Sequence, residues 1–159
     1  MQVRVADRQH RLAVARAALK KVATIALAGH EDGTGGYDQV GIALVTDLEM
    51  RRLNRTYRRI DRTTDVLSFD LRAVRSPGEP RSGEIVISTD RVLAQARRYR
   101  TTPARELARL LVHGILHLRG HDHQLPAERA RMRALEQVVL GDAARVTPAL
   151  VVPGSIRPA

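Results

Sequence analysis

"LVHGILHLRGHDHQ", Leu111 to Gln124, carries His113, His117, His121 and His123, four of the six histidines of the chain. His113 and His117 stand four apart, which on a helix puts both rings on one side, one turn apart. Two imidazoles so placed can share one ion at about 2.0–2.1 Å each. A pair of this kind is also common among ordinary core or surface histidines, so a third partner decides the matter. His121 continues the four-residue series, but eight residues of helix rise about 12 Å, too far for the first and last rings to converge. The chain must turn, and Gly120 supplies the turn because glycine enters the left-handed region without steric cost. After that reversal His123 swings back toward the pair. The spacing His113-x3-His117-x2-Gly120-x2-His123 matches the ligand spacing of metzincin zinc proteases. His113, His117 and His123 are therefore the expected metal ligands. His121 is expected as a neighbour, either lining the mouth and contacting substrate or solvated at the turn. Asp122 either orients a ligand imidazole or caps the turn.

The chain has no cysteine, so the donor set is all nitrogen. Zinc suits that set, and nickel or copper would also bind. Three protein ligands leave a fourth position open, as catalytic rather than structural zinc sites do. Gly114 stands where HExxH proteases carry the glutamate that takes a proton from the zinc water. A peptidase would need its base from elsewhere. A phosphodiester demands instead positive charge around a pentacoordinate phosphorus, which a metal and arginines supply.

Outward from the histidines, Thr102 and Pro103 fit the N-cap and first position of a helix that runs to Gly120. Upstream, "VGIALVTD", "TDVLSFD" and "GEIVIST" read as strands, and "MQVRVA" as a short edge strand. Asp47 is the expected cap of a helix "LEMRRLNRTYR", with Leu48, Met50, Leu53 and Tyr57 facing inward and arginines over the rest. Thr89 or Asp90 is expected to cap "RVLAQARRY". Leu12 to Leu27 has helical spacing and ends at Gly29, the expected C-cap. "EDGTGGYD" reads as a loop. The last helix spans about Pro126 to Leu140 with Gly141 as its cap. These elements predict an α+β fold: one domain over 1–141 with a small mixed sheet, about five helices and a metal-binding helix ending in a glycine turn. The tail, 142–159, has three prolines in "RVTPALVVPGSIRPA" and is expected to be poorly ordered.

The formal charge is +10 and the pI near 11.3, a field that attracts polyanions and favours a nucleic-acid partner. Arginine enrichment from a GC-rich genome is the ordinary alternative. It accounts for lysine being confined to Lys20 and Lys21, but less well for the excess of basic over acidic residues. Tyr37, Tyr57, Phe69 and Tyr99 are the only aromatics, so binding is expected to lean on phosphates rather than base stacking. No stretch approaches the roughly 18 uncharged apolar residues of a membrane span. The N-terminus lacks a secretory pattern, and a cytoplasmic location is expected.

"HGILHLRGHDH" resembles the HGxLHLxGYDH signature of the YbeY-type endoribonucleases, a family of bacterial rRNA maturation factors. "LVTDLEMRRLNRTYRRIDRTTDVLSF" is similar to the family's second block and "GEIVIS" to its third, with "ELARLLVHG" leading into the metal helix. The resemblance covers roughly Ile42 to Arg133. It implies an α+β domain, zinc on His113, His117 and His123, and cleavage of single-stranded RNA. It further implies maturation of the small-subunit rRNA 3′ end, ribosome quality control, and the small subunit and its assembly factors as partners. Arg58, in "TYRRID", falls on the arginine the family associates with catalysis or RNA binding. The residues alone do not separate Arg58 from Arg55 or Arg59, which join it as substrate-binding candidates, nor from a solvated helix charge. Asp65 and Ser68, in "TTDVLSF", match family positions and are expected to wall the site or simply to cap and pack the strand. His121 stands in place of a usual tyrosine, Thr63 and Asp70 in place of prolines, and Glu84 in place of aspartate. Two other functions fit the same helix: a ribosome-assembly factor whose metal only braces the fold, and a metallopeptidase.

Overall fold

A computed structural model describes residues 1–28 and 36–158. Four strands, β1 (Gln2–Asp7), β2 (Gln39–Val45), β3 (Val66–Asp70) and β4 (Ser82–Ser88), form one sheet in the order β1-β2-β4-β3. β1, β2 and β4 run parallel, and β3 pairs antiparallel to β4 as the edge strand beside it. Five helices surround it: α1 (Arg16–Leu27), α2 (Asp47–Arg58), α3 (Thr89–Arg98), α4 (Pro103–Leu118) and α5 (Pro126–Asp142). The fold is α+β with a mixed sheet, as the strand and helix patterns predict.

Side chains alternate across a strand, and here the alternation divides the core in two. Val40, Ile42, Leu44, Ile85 and Ile87 join α1, α4 and α5 in the main cluster. Val45, Val86 and Leu67 meet Met50 of α2 in a smaller cluster. α4 is buried around most of its circumference, and the stripe Arg105, Arg109, His113 and His117 stays open. Its first turn is set by the Thr102 side chain, which accepts from the Arg105 amide at 3.1 Å, and by Pro103.

Several elements differ from expectation. Thr46, not Asp47, caps α2, and Ser88, not Thr89 or Asp90, caps α3. β2 ends at Val45 and β4 at Ser88, so the hydroxyl one residue before Asp47, and the one before Thr89, takes the cap. The Asp47 carboxylate instead accepts from Ser88 Oγ at 2.6 Å, Thr63 Oγ1 at 3.0 Å and Arg91 Nε at 3.1 Å. Asp90 accepts from the Asp47 amide at 2.8 Å, so the starts of α2 and α3 hold each other.

On α2 the inward face is set by Met50 and Asn54. Leu48 lies about 200° around the helix from Met50 and is 80% exposed. Tyr57 keeps the inward phase but meets only the rim of the sheet, edge-on to Phe69 with ring centroids 5.4 Å apart, and is 65% exposed.

α1 begins at Arg16 rather than Leu12, because Val14 bridges Val151 and Ala15 stays extended before the helix. α5 continues through Gly141 to Asp142, with Ala143 as its cap. The stretch read as a tail lies against this edge: Ala143 and Leu150 are fully buried, and the Ala15 amide donates to the Leu150 carbonyl at 2.9 Å. The apolar residues between its prolines supply that packing. Gly29 and residues 31–35 of the expected loop lie outside the described residues.

Candidate metal centre

α4 ends in a Schellman turn, the motif in which a left-handed residue after the helix satisfies its last carbonyls. Gly120 has φ +90°, its amide donates to the His117 carbonyl, and the His121 amide donates to the Leu116 carbonyl, each at 3.0 Å. The reversal returns the chain over the end of the helix. Asp122 Oδ1 accepts from the His123 amide at 2.7 Å, so Asp122 stabilises this turn.

The turn brings His123 to the helical pair. Ring centroids lie 4.7 Å apart for His113–His117, 4.8 Å for His117–His123 and 5.5 Å for His113–His123. One ring nitrogen from each of the three falls within 4.8 Å of the others. Nε2 of His113 and Nε2 of His117 face each other at 3.1 Å. Three converging imidazoles with no thiolate fit a single borderline ion such as zinc. His121 is not among the three converging rings.

Partial burial, and then the neighbouring imidazoles His113 and His123, hold His117 well below the ordinary histidine value of 6.5, at about 4. Arg58 adds to that repulsion and Asp122 opposes it. At neutral pH His117 is therefore uncharged, the form a metal requires.

The remaining candidates divide. Arg58, exposed at the C-terminal end of α2, lies close enough for its charge to act on His117. Arg55 acts on Asp61, which is chiefly engaged by Arg51. Arg59 closes α2 in the left-handed region at φ 60°. Asp65 Oδ1 accepts from the Val66 amide at 2.8 Å and its charge reaches Arg109 on α4. Ser68 Oγ donates to the Gly114 carbonyl at 2.9 Å.

Gly114 faces the sheet, not the histidine rings. A Cβ there would lie 3.0 Å from Ile85 Cγ2, 3.1 Å from Ser68 Oγ and 3.2 Å from Val66 Cγ2. The position that holds a protease's glutamate is thus closed by packing.

Sequence reasoning missed Glu136. Its Oε1 hydrogen-bonds His113 Nδ1 from α5. No local motif marks it. The available signal was a carboxylate between Met132 and Val139, the two buried residues of α5.

The fold and site define a small α+β domain whose central helix and following turn gather three imidazoles that could hold a metal ion. The chain belongs to the Endoribonuclease YbeY family, whose family model matches residues 4–144. It is 55% identical to Endoribonuclease YbeY of Chloroflexus aurantiacus over 109 residues, 64% of this chain and 71% of that one. With the protein of the same name from Roseiflexus castenholzii it shares 48% identity over 116 residues, 69% of this chain and 73% of the relative. Among solved structures it resembles the solution structure of TM1509 from Thermotoga maritima, at TM-score 0.56 and 25% identity over 99% of this chain and 100% of that one. Among the described residues, no helix is long and apolar enough to cross a membrane.

Proposed function

We propose that this chain is a zinc-dependent endoribonuclease that cuts single-stranded RNA during maturation of the small-subunit rRNA 3′ end and in ribosome quality control. The observation that carries the reading is the convergence of three ring nitrogens within 4.8 Å in a member of this family. His113, His117 and His123 hold the ion. When bound, it supplies a Lewis acid and the means to ionise water near neutral pH, at a pKa of about 7.

The chain's own side chains do the rest. His117, neutral at pH 7, is ready to donate its lone pair without first losing a proton. Arg58 places a permanent positive charge beside the rings, where a guanidinium matches two phosphoryl oxygens and offsets the charge that develops on them. Arg55 and Arg59 extend positive charge along the RNA. Asp65 and Ser68 form the wall toward β3, and His121 stands at the mouth. A net charge of +10 draws RNA to this surface. Closure of position 114 by Ile85 and Val66 disfavours peptide hydrolysis with a helix-borne glutamate as base. The small ribosomal subunit and its assembly factors are the partners, and the cytoplasm is the location.

The test compares chelated and zinc-reloaded protein on a labelled single-stranded RNA and on its duplex. Cleavage confined to the loaded protein and the single strand supports the reading, with His117→Ala inactive yet still retained on RNA. Chelated protein that cuts as fast as the loaded form removes the metal from the reaction. Loaded protein that melts higher but never cuts RNA points instead to a metal that braces an assembly factor. Analysis of the new ends separates the nucleophiles: attack by the RNA's 2′-hydroxyl leaves a cyclic phosphate, and attack by water does not.

A further inference from the structure

α5 turns Met132 and Val139 into the core, and Glu136 occupies the same inward stripe. A carboxylate in such a place costs several kcal/mol unless it is partnered. Its partner is His113, through Nδ1. A neutral imidazole carries one N–H and one lone pair. If Nδ1–H donates to Glu136, the lone pair resides on Nε2. That is the nitrogen turned into the cluster, 3.1 Å from His117 Nε2.

Glu136 also lies in the field of a nearby cation. Arg109 sits one turn before His113 on α4, and its charge interacts with Glu136 and Asp65. Its guanidinium is fixed by Glu106, with Nη2 2.6 Å and Nε 3.1 Å from the carboxylate oxygens. Glu106 is only 2% exposed and also accepts from Gln95 Nε2 of α3 at 2.7 Å. Gln95, Glu106 and Arg109 thus hold a fixed positive charge in the neighbourhood of the Glu136 carboxylate, which itself bonds the ring nitrogen. The turn carboxylate, Asp122, is engaged by the His123 backbone instead.

We propose that Glu136 is the positioning residue for His113. It fixes the Nδ1–H tautomer and the ring's direction, so that Nε2 is presented to the ion, while Arg109 on its Glu106–Gln95 support steadies the carboxylate. The inference rests on the metal reading above and concerns metal capture, not contact with RNA.

The experiment uses full-length wild type, Glu136→Ala and Glu136→Gln. Zinc affinity is read by competition with a chromophoric chelator. The His113 tautomer is read from the ring ¹⁵N shifts of the metal-free proteins, and folding from their melting curves. Glu136→Ala is expected to bind zinc about 10–100-fold more weakly and to lose the pure Nδ1–H signature. Glu136→Gln, which keeps the shape and a neutral acceptor, falls between it and wild type. Should Glu136→Ala fail to fold, the comparison rests on Glu136→Gln. A residue that merely packs α5 would lower the metal-free melting point while leaving affinity and tautomer unchanged, and that result overturns the inference. Wild type that takes up no zinc brings down the metal reading as well. Wild type and folded variants that bind zinc equally remove only the role of Glu136.

Discussion

Ser68 Oγ donates to the Gly114 carbonyl at 2.9 Å, which ties the edge strand to the middle of the histidine-bearing helix. The contact works because Gly114 has no side chain: a Cβ would come within 3.0–3.2 Å of Ile85, Ser68 and Val66. Gly114→Glu would force a carboxylate into this seam, and we expect a loss of at least about 3 kcal/mol, or no folded protein. Gly114→Ala is milder. Overpacking of about 1–3 kcal/mol is partly offset by roughly 1 kcal/mol of helix propensity, leaving a net loss near 1 kcal/mol. Urea unfolding of both variants checks the order. Gly114→Glu protein as stable as wild type would mean the helix stands off the sheet.

Arg58 is exposed, yet its charge reaches His117. Arg58→Ala should lower kcat on RNA by about 10²–10³-fold, the usual cost of one transition-state donor, with a smaller change in KM. Arg58→Lys should recover part of the rate, because it restores the charge but not the bidentate fork. A variant that changes only KM would reduce Arg58 to a phosphate tether.

Arg59 ends α2 at φ 60°, a conformation costing an L side chain about 1–2 kcal/mol. Arg59→Gly should therefore raise stability by about 0.5–1 kcal/mol while flattening the salt dependence of RNA binding by about one unit of slope. Thermal melts and binding at several salt concentrations test the two halves separately. A stabilised variant with unchanged salt dependence would show that Arg59 does not meet phosphate.

The histidine cluster was legible because its cause is local: an i, i+4 pair, then a glycine that must turn. Strand and helix identity was legible for the same reason, through the apolar, β-branched runs that form β2 and β4 and the cap and proline of α4. What escaped depends on contacts far apart in sequence. The Glu136–His113 bond joins residues on two helices. The start of α1 is set by Val14 meeting Val151, which no window around Leu12 contains. Leu48 was misplaced because one apolar residue does not fix a helix's phase; Met50 and Asn54 do. The caps fall at Thr46 and Ser88 because cap-forming residues stand side by side in Thr46-Asp47 and in Ser88-Thr89-Asp90, and any of them can cap.

In metal-free protein, burial and the neighbouring imidazoles keep His117 neutral down to about pH 4, against 6.5 for the free side chain. Between those values the unfolded chain binds a proton at His117 that the native state refuses. Stability must then fall as pH falls through the window. Above it neither state is protonated, and below it both are, so the loss levels off at each end. The full shift would correspond to about 3 kcal/mol; with solvent screening of a part-exposed ring we expect about 1–2 kcal/mol. Urea-derived unfolding free energies at about pH 7 and about pH 4.5 should differ by that amount in wild type and by less in His117→Gln. Zinc-loaded protein should lose more over the same interval, because protonation of the rings also releases the ion. If metal-free wild type and His117→Gln have parallel pH profiles, the ring does not lie in the crowded, positive surroundings described here.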